Sequence, residues 1–125
     1  MIASAGSATM AASLSMTLAR YAASTSIDLI PSRVRERAKQ VILDEMASAR
    51  FGRCSLGGDL AARYVSGIGG REEALILGTR LRAPAALAAL ANGAAGHGEE
   101  VDGAHVVGGH PGATLVHAAV AMAER

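Results

Sequence analysis

The sequence predicts a mainly α fold, an Ala-rich helical bundle with one short strand or hairpin. Of the 125 residues, 28 are alanine and 15 are glycine, and only three are aromatic. Half of the residues are hydrophobic and 18% are charged, a balance that favours a folded domain over a disordered tail. Because the apolar side chains are small, we expect the helices to pack closely.

The spacing of apolar residues, together with proline and glycine at the helix ends, predicts the first two helices. Apolar residues at helical spacing from Leu14 onwards predict a helix over about 11–23. A second helix begins at Pro31 and ends at Gly52, since proline suits a first helical turn and glycine a helix end. The second helix has the clearest apolar face of the chain, made of Val34, Ala38, Val41, Ile42, Met46 and Ala49.

The middle of the chain is more broken. Residues 55–58 indicate a break before a short helix over about 59–66, which glycines close. Residues 74–77 are the one strand candidate, and because only four residues precede Gly78 we expect a hairpin arm or an edge strand. A helix over 84–96 follows.

The last two predicted helices are apolar nearly all round. Residues 85–95 contain only Asn92 as a polar side chain, and residues 113–123 contain only Thr114 and His117. Helices of this kind lie inside larger structures, whereas small domains leave a large share of their surface exposed. We therefore expect the chain to be part of a larger helical unit.

Composition also excludes several classes of function. A net charge of +1, no basic stripe and few aromatic residues argue against nucleic-acid binding. The apolar stretches are shorter than the roughly 20 residues that a membrane span needs, and no secretory signal is evident. Cys54 is the only cysteine, which excludes an internal disulfide and a cysteine-ligated zinc array. We expect a cytoplasmic protein with no membrane partner.

The chemistry is expected in residues 97–110, between the last two helices. This segment contains three of the four histidines and three carboxylates within fourteen residues: His97, Glu99, Glu100, Asp102, His105 and His110. A polar segment held between two apolar helices lies where a pocket wall would be.

Three interpretations of this segment stay open on the residues alone. In the first, His110 stands at a helix N-terminus, which favours a bound anion and a neutral imidazole, and Glu100 or Asp102 orients it or moves a proton. In the second, a divalent metal is bound, although the spacing matches no metal motif. Its ligands would be His97, Glu100, Asp102, His105 and His110. In the third, the carboxylates are a solvated loop and the histidines cap helices or fill gaps.

Three further residues have simpler interpretations. His117 shares a helical face with His110 and is either a second pocket residue or, more often for such a position, a hydrogen-bonded core histidine. Asn92 needs a hydrogen-bond partner if it is buried, so a structural role is expected. Cys54 is expected to be an inert thiol.

Four motifs follow one another in a recognisable order. They are IPSRVRERAKQVILDEMASARFG, EALILGT, an Ala-rich helix ending in ANG, and GHGEEVDGAHVVGGHPGA. In this order they resemble the MmgE/PrpD family, which includes 2-methylcitrate dehydratase, cis-aconitate decarboxylase and an iminodisuccinate epimerase. The resemblance implies that residues 11–125 are the N-terminal portion of an incomplete MmgE/PrpD-like helical domain, with residues 1–10 as a loose leader.

The resemblance also implies three catalytic residues. His110 matches the active-site histidine of the family's HPG motif. Glu100 lies where the family usually has the first, catalytic-site aspartate of its DFDDTH motif, and Asp102 matches the next aspartate. The departure at Glu100 alters the reach of the carboxylate.

Substrate binding is implied for three more positions. His97 matches the histidine before the DFDDTH motif and His105 the histidine at its end. Ala104 replaces the usual threonine, whose hydroxyl contacts substrate, and Gly103 replaces the last aspartate. Each change removes a polar group, which can alter the substrate relative to the tricarboxylate enzymes.

The function implied by the resemblance is that of a lyase or isomerase without cofactor or metal, acting by proton removal next to a carboxylate of a small polycarboxylate. Members are several times longer and take a further histidine and lysines from later segments. We therefore expect this chain to be inactive alone and to work as a homodimer or with a completing polypeptide. The alternative is a non-catalytic helical module for oligomerisation or interaction.

Overall fold

The computed structural model describes residues 13–125, so the expected leader over 1–10 lies outside the described residues. It confirms the mainly α class. The elements are α1 (Leu14–Ser24), a 3-10 helix (Ile27–Leu29), α2 (Ser32–Gly52), α3 (Leu56–Ile68), β1 (Ala74–Leu75), β2 (Arg82–Ala83), α4 (Ala85–His97) and α5 (Pro111–Glu124). The chain divides within α2, after Arg35, into two compact units.

In the first unit, helix starts are capped by serine side chains. The Ser13 hydroxyl accepts a hydrogen bond from the Met16 amide at the start of α1, and Ser26 caps the 3-10 helix in the same way. The Pro31 carbonyl accepts hydrogen bonds from the amides of Val34 and Arg35, so Pro31 lies at the N-cap position and the first residue of α2 lies one residue after the predicted start. The structure agrees with the predicted first helix over its described part.

A break separates α2 from α3 as predicted, but it lies at residues 53–55 rather than 55–58, and α3 begins at Leu56, three residues earlier than expected. The Ser55 hydroxyl accepts a hydrogen bond from the Gly58 amide at 3.1 Å and caps the helix. Gly58 lies so close to the Gly52 carbonyl that a Cβ atom would collide with it. The glycines therefore serve a close approach of α2 and α3 and do not interrupt the helix.

The predicted strand forms one arm of a hairpin, which confirms that expectation. β1 pairs antiparallel with β2, and Gly78 takes a left-handed φ of 77° in the turn. The Asn92 side chain on α4 accepts a hydrogen bond from the Leu77 amide at 2.8 Å and donates one to the Leu75 carbonyl at 2.9 Å. Asn92 therefore has the structural role expected of it, attaching the hairpin to α4.

The core of the second unit lies where α3, α5 and the hairpin pack on α4. Its buried residues are small, and most are alanine: Ala62, Val65, Ala74, Ile76, Ala83, Ala85, Ala88, Ala91 and Ala121. The largest fully buried side chains are Ile76, Val65 and two ionisable ones, Glu45 and His117. Ionisable side chains are seldom fully buried unless they are paired, and in this core Glu45 and His117 lie close to each other.

The outer surface of the second unit keeps large apolar side chains exposed. On α3 they recur every fourth residue and form one row, which we call the α3 apolar row: Leu56, Leu60, Tyr64 and Ile68. Among residues 13–125 no helix has both the length and the apolarity that a membrane crossing requires.

Candidate functional site

Two helix ends bring two histidines together. His97 is the last residue of α4, and His110 is the N-cap residue of α5. The two helices approach closely because Gly93 has no side chain, and a Cβ there would lie 3.0 Å from the Ala113 carbonyl oxygen. The connecting segment, residues 98–110, passes Asp102 between the two helix ends.

Both imidazoles contact the same carboxylate. His97 Nδ1 lies 3.1 Å from Asp102 Oδ1, and His110 Nδ1 lies 3.0 Å from the same oxygen. The two rings meet edge to face, with centroids 5.0 Å apart. The Asp102 side chain is fully buried, whereas those of His97 and His110 are 49% and 31% exposed. We call these three residues the His–Asp–His cluster.

Electrostatics keep the carboxylate of Asp102 ionised. Burial by itself raises the pKa of Asp102, but the hydrogen bond from His97, a backbone hydrogen bond and the charges of His110 and His97 together hold that pKa below its ordinary value. An ionised carboxylate only accepts hydrogen bonds, so each histidine contacting it donates from Nδ1. The contact with Asp102 thus leaves the Nε2 atom of each histidine unengaged by that carboxylate.

A cavity of about 550 Å³ opens beside the cluster. Its wall is formed mainly by apolar residues of α4 and α5, and its polar lining residues are His97, His110 and Thr114. The residues that line it are Ala89, Leu90, Gly93, Ala94, His97, His110, Ala113 and Thr114. Apolar walls with a few convergent polar groups are typical of small-molecule sites.

The remaining predicted site residues lie elsewhere. Ala104 and His105 are exposed and line a second, smaller cavity of about 280 Å³, which reaches Glu45 and Gly112. Glu100 is exposed, has a left-handed φ of 52° and lines neither cavity. The structure thus brings together three of the six predicted site residues, His97, Asp102 and His110, and leaves the other three apart.

The cluster has the donor set of a metal site. Each of its residues offers one ligand atom, and the three atoms lie within 4.8 Å of one another. Two imidazole nitrogens and a carboxylate oxygen suit a divalent transition metal. Of the five ligands in the metal interpretation of the sequence, Glu100 and His105 are not in this group.

The sequence prediction missed Glu45, whose carboxylate is fully buried in α2. Its Oε1 accepts a hydrogen bond from the Gly103 amide at 2.6 Å, next to Asp102. The signal was present in the sequence, because Glu45 lies four residues after Val41 and four before Ala49, on the apolar face of that helix.

His117 on α5 is buried, as a core histidine should be, but it is not hydrogen-bonded as expected. Among residues 13–125 neither ring nitrogen has a hydrogen-bond partner, and Nε2 lies 3.9 Å from Glu45 Oε2. Burial lowers the pKa of His117, and the negative charge of Asp102 opposes this only in part. The imidazole is therefore neutral near pH 7.

Fold and site together define a class of protein: an Ala-rich helical domain that carries a His–Asp–His cluster between two helix ends, at an apolar cavity. The family model of the MmgE/PrpD N-terminal domain matches residues 16–125. The chain therefore belongs to the MmgE/PrpD family, and the match is to the N-terminal part of that family. No match is found among curated proteins or among solved structures.

Proposed function

We propose that the chain is the N-terminal segment of an MmgE/PrpD-like lyase or isomerase, a dehydratase, decarboxylase or epimerase. It acts by proton transfer next to a carboxylate of a small polycarboxylate. One observation carries the proposal: the buried, ionised Asp102 contacts two imidazoles, those of His97 and His110, and both line an apolar cavity. Membership of the family supports the class of reaction.

Each residue of the cluster has a distinct role in this proposal. His110 Nε2 takes the proton from the carbon, while the electron pair of the broken C–H bond delocalises into the neighbouring carboxylate. Asp102 stabilises the imidazolium that forms. His97 ends α4, where the helix dipole favours positive charge, and binds a second carboxylate of the substrate.

The start of α5 is suited to hold the reacting carboxylate. His110, the N-cap residue, provides no side-chain cap, and the Glu45 carboxylate lies beside Gly112, so the amides left for an incoming carboxylate are those on the side of Ala113 and Thr114, which line the cavity. Such amides and the helix dipole attract anions. A carboxylate bound there would place its neighbouring carbon near His110, at the edge of the cavity.

We also propose that this segment does not turn over substrate by itself and that a second copy or a completing polypeptide supplies the remaining groups. The α3 apolar row supports a partner, since such a surface is usually covered in an assembly. The predicted site residues Ala104 and His105 are exposed and available to such a partner. A cytoplasmic location is part of the proposal, and the lone Cys54 supports it.

The first experiment measures binding to the chain alone. Nitrogen-15 NMR of the histidine side chains is followed while 2-methylcitrate or cis-aconitate is added, with acetate as the monocarboxylate control. We expect the His97 and His110 resonances to shift with the polycarboxylates, and the shifts to disappear in His110→Ala but persist in Val106→Ala, an exposed neighbour in the same loop. Unperturbed histidine resonances would contradict the proposal.

The second experiment measures proton transfer in the completed protein. Polycarboxylate substrates are incubated in deuterium oxide, and proton NMR follows replacement of the C–H hydrogen by deuterium. We expect His110→Ala to abolish this exchange, whereas full exchange in that variant would overturn the assignment of His110 as base.

The alternative, a non-catalytic interaction module, is favoured by one observation, the exposed α3 apolar row. It predicts self-association or partner binding without any effect of polycarboxylates. Light scattering on wild type and Leu60→Glu distinguishes the two: in the module, the substitution removes the only function, whereas in the enzyme segment polycarboxylate binding at the cluster survives it.

A further inference from the structure

A buried carboxylate beneath the cluster is not accounted for by the proposed reaction. Glu45 lies in α2, and its side chain is fully buried. Removing a carboxylate from water is unfavourable unless hydrogen bonds or opposite charge replace the lost hydration. The groups that contact the Glu45 carboxylate therefore replace this hydration, and they identify the part of the chain that the carboxylate holds in place.

Both ends of the segment between Gly103 and Gly112 contact this carboxylate. At one end, the Gly103 amide donates to Glu45 Oε1 at 2.6 Å. At the other, Gly112 lies so close that a Cβ atom would collide with Oε1, and a Cβ at Gly103 would lie 2.7 Å from it. Glycine at both positions leaves the space that the carboxylate occupies, and His110 lies between them in sequence.

Charge favours the same placement. Gly112 belongs to the first turn of α5, where partial positive charge accumulates and where no side chain of the N-cap residue provides a cap. The carboxylate of Glu45 supplies negative charge at this helix end from another helix. Its second oxygen, Oε2, has no hydrogen-bond partner among residues 13–125 and faces His117 Nε2 at 3.9 Å.

We propose that Glu45 is a positioning residue: through Gly103 and the start of α5 it holds Asp102 and His110 at hydrogen-bond distance. The inference rests on the proposed function for the importance of the cluster. Asp102 directly precedes Gly103, and His110 is two residues before Gly112. Each of the two residues that form the Asp102–His110 contact is therefore within two residues of a glycine that Glu45 contacts.

The test compares Glu45→Ala and Glu45→Gln with Asp44→Asn, the neighbouring exposed acid, as the matched control. Amide and imidazole NMR resonances of Gly103, His97 and His110 are recorded as a function of pH. In Glu45→Ala we expect the Gly103 amide proton to move upfield and the His110 imidazole to lose the resonance signature of its bond to Asp102. Glu45→Gln retains an oxygen acceptor, so it should restore part of both signals.

Two outcomes would overturn the inference: a folded Glu45→Ala protein with unchanged His97 and His110 resonances, or an effect of Asp44→Asn as large as that of Glu45→Ala. If neither Glu45 variant folds, the wild-type chain decides. The amide nitrogen of Gly103 should show scalar coupling across the hydrogen bond to the Glu45 carboxyl carbon, and absence of this coupling would contradict the inference.

The NMR readouts require no turnover, so this inference and the proposed function can fail separately. Unperturbed histidine resonances on addition of polycarboxylate would overturn the function and leave the positioning role measurable. In the completed protein, Glu45→Ala should lower the rate of deuterium exchange by roughly 10²-fold, the effect of a misplacement of about 1 Å, while Glu45→Gln should retain more of the rate.

Discussion

The two halves of the segment over 98–110 differ in both charge and environment: 98–103 contains three acids, Glu99, Glu100 and Asp102, and 104–110 contains two histidines, His105 and His110. In the first half, the Val101 carbonyl accepts a hydrogen bond from Ser48, Asp102 is buried, and Gly103 is bonded to Glu45. In the second half, Val106 and Val107 are almost fully exposed, in a turn closed by a hydrogen bond from the His105 amide to the Gly109 carbonyl. The buried carboxylate of the His–Asp–His cluster thus lies in the half of the segment that hydrogen bonds attach to α2.

The largest effect should come from removing the charge at Asp102. Asp102→Asn keeps the shape of the side chain but weakens two hydrogen bonds from histidine, so we expect the free energy of unfolding to fall by about 1–3 kcal/mol. Deuterium exchange in the completed protein should fall by roughly 10²–10⁴-fold, since His110 loses the carboxylate that stabilises its imidazolium. Denaturant unfolding and NMR measure the two quantities.

Glu100→Gln is the comparator, because it makes the same change of acid to amide two residues earlier in the loop. Glu100 is exposed and outside the cluster, so the free energy of unfolding should change by no more than about 0.5 kcal/mol. Equal destabilisation by the two variants would contradict the difference between buried and exposed loop positions.

A second comparison tests the space around Glu45. Gly112→Ala places a methyl group where the carboxylate lies, and we expect overpacking to lower the free energy of unfolding by about 1–3 kcal/mol. Gly67→Ala in α3 meets no atom within 4 Å and should raise it by about 0.5–1 kcal/mol through helix propensity. Denaturant titrations of both variants measure these shifts, and a stabilising Gly112→Ala would contradict the packing.

A smaller effect is expected from pH. Because burial holds the pKa of His117 below its ordinary value of 6.5, the unfolded chain binds a proton that the folded chain does not as the pH falls below about 6.5. The free energy of unfolding should therefore be independent of His117 above that pH and fall as the pH drops below it. His117→Leu should remove this part of the slope, and an identical pH profile in the variant would show that His117 does not titrate as described. The lowered pKa of Asp102 adds a further loss of stability at pH values below 3.8.

The smallest effect is expected from removal of metal. The proposed reaction needs none, so dialysis against a chelator should leave polycarboxylate binding and deuterium exchange unchanged. If the chelator abolished either activity and zinc or manganese restored it, and if the metal had no such effect in His97→Ala, the metal interpretation with the cluster as ligands would be favoured.

Local signals predicted much of this fold, and distant contacts explain what they missed. The periods and end residues of α2, α4 and α5 placed those helices within about two residues, since proline and glycine act on the backbone directly. The start of α3 was misplaced because the reason for its glycines is the backbone of α2, which no local pattern shows.

The same distinction applies to the site. His97, Asp102 and His110 lie within one short segment, so motif order predicted their association. Glu45 is 58 residues from its partner Gly103, and only the packing of α2 against the loop reveals the contact. Glu100 matched a family position by order alone, and the backbone turns it outward.

The contact of Gly52 with the Ala95 carbonyl has a consequence for where His97 stands. There, α2 and α4 meet with no side chain between them, only two residues before the end of α4. A backbone cannot make room by changing a side-chain rotamer. A methyl group added at Gly52 would therefore push the end of α4 out of its present position. The position of His97 at the end of α4 therefore depends on the absence of a side chain at Gly52, in α2. A larger residue at position 52 should displace His97 as directly as a substitution within the cluster.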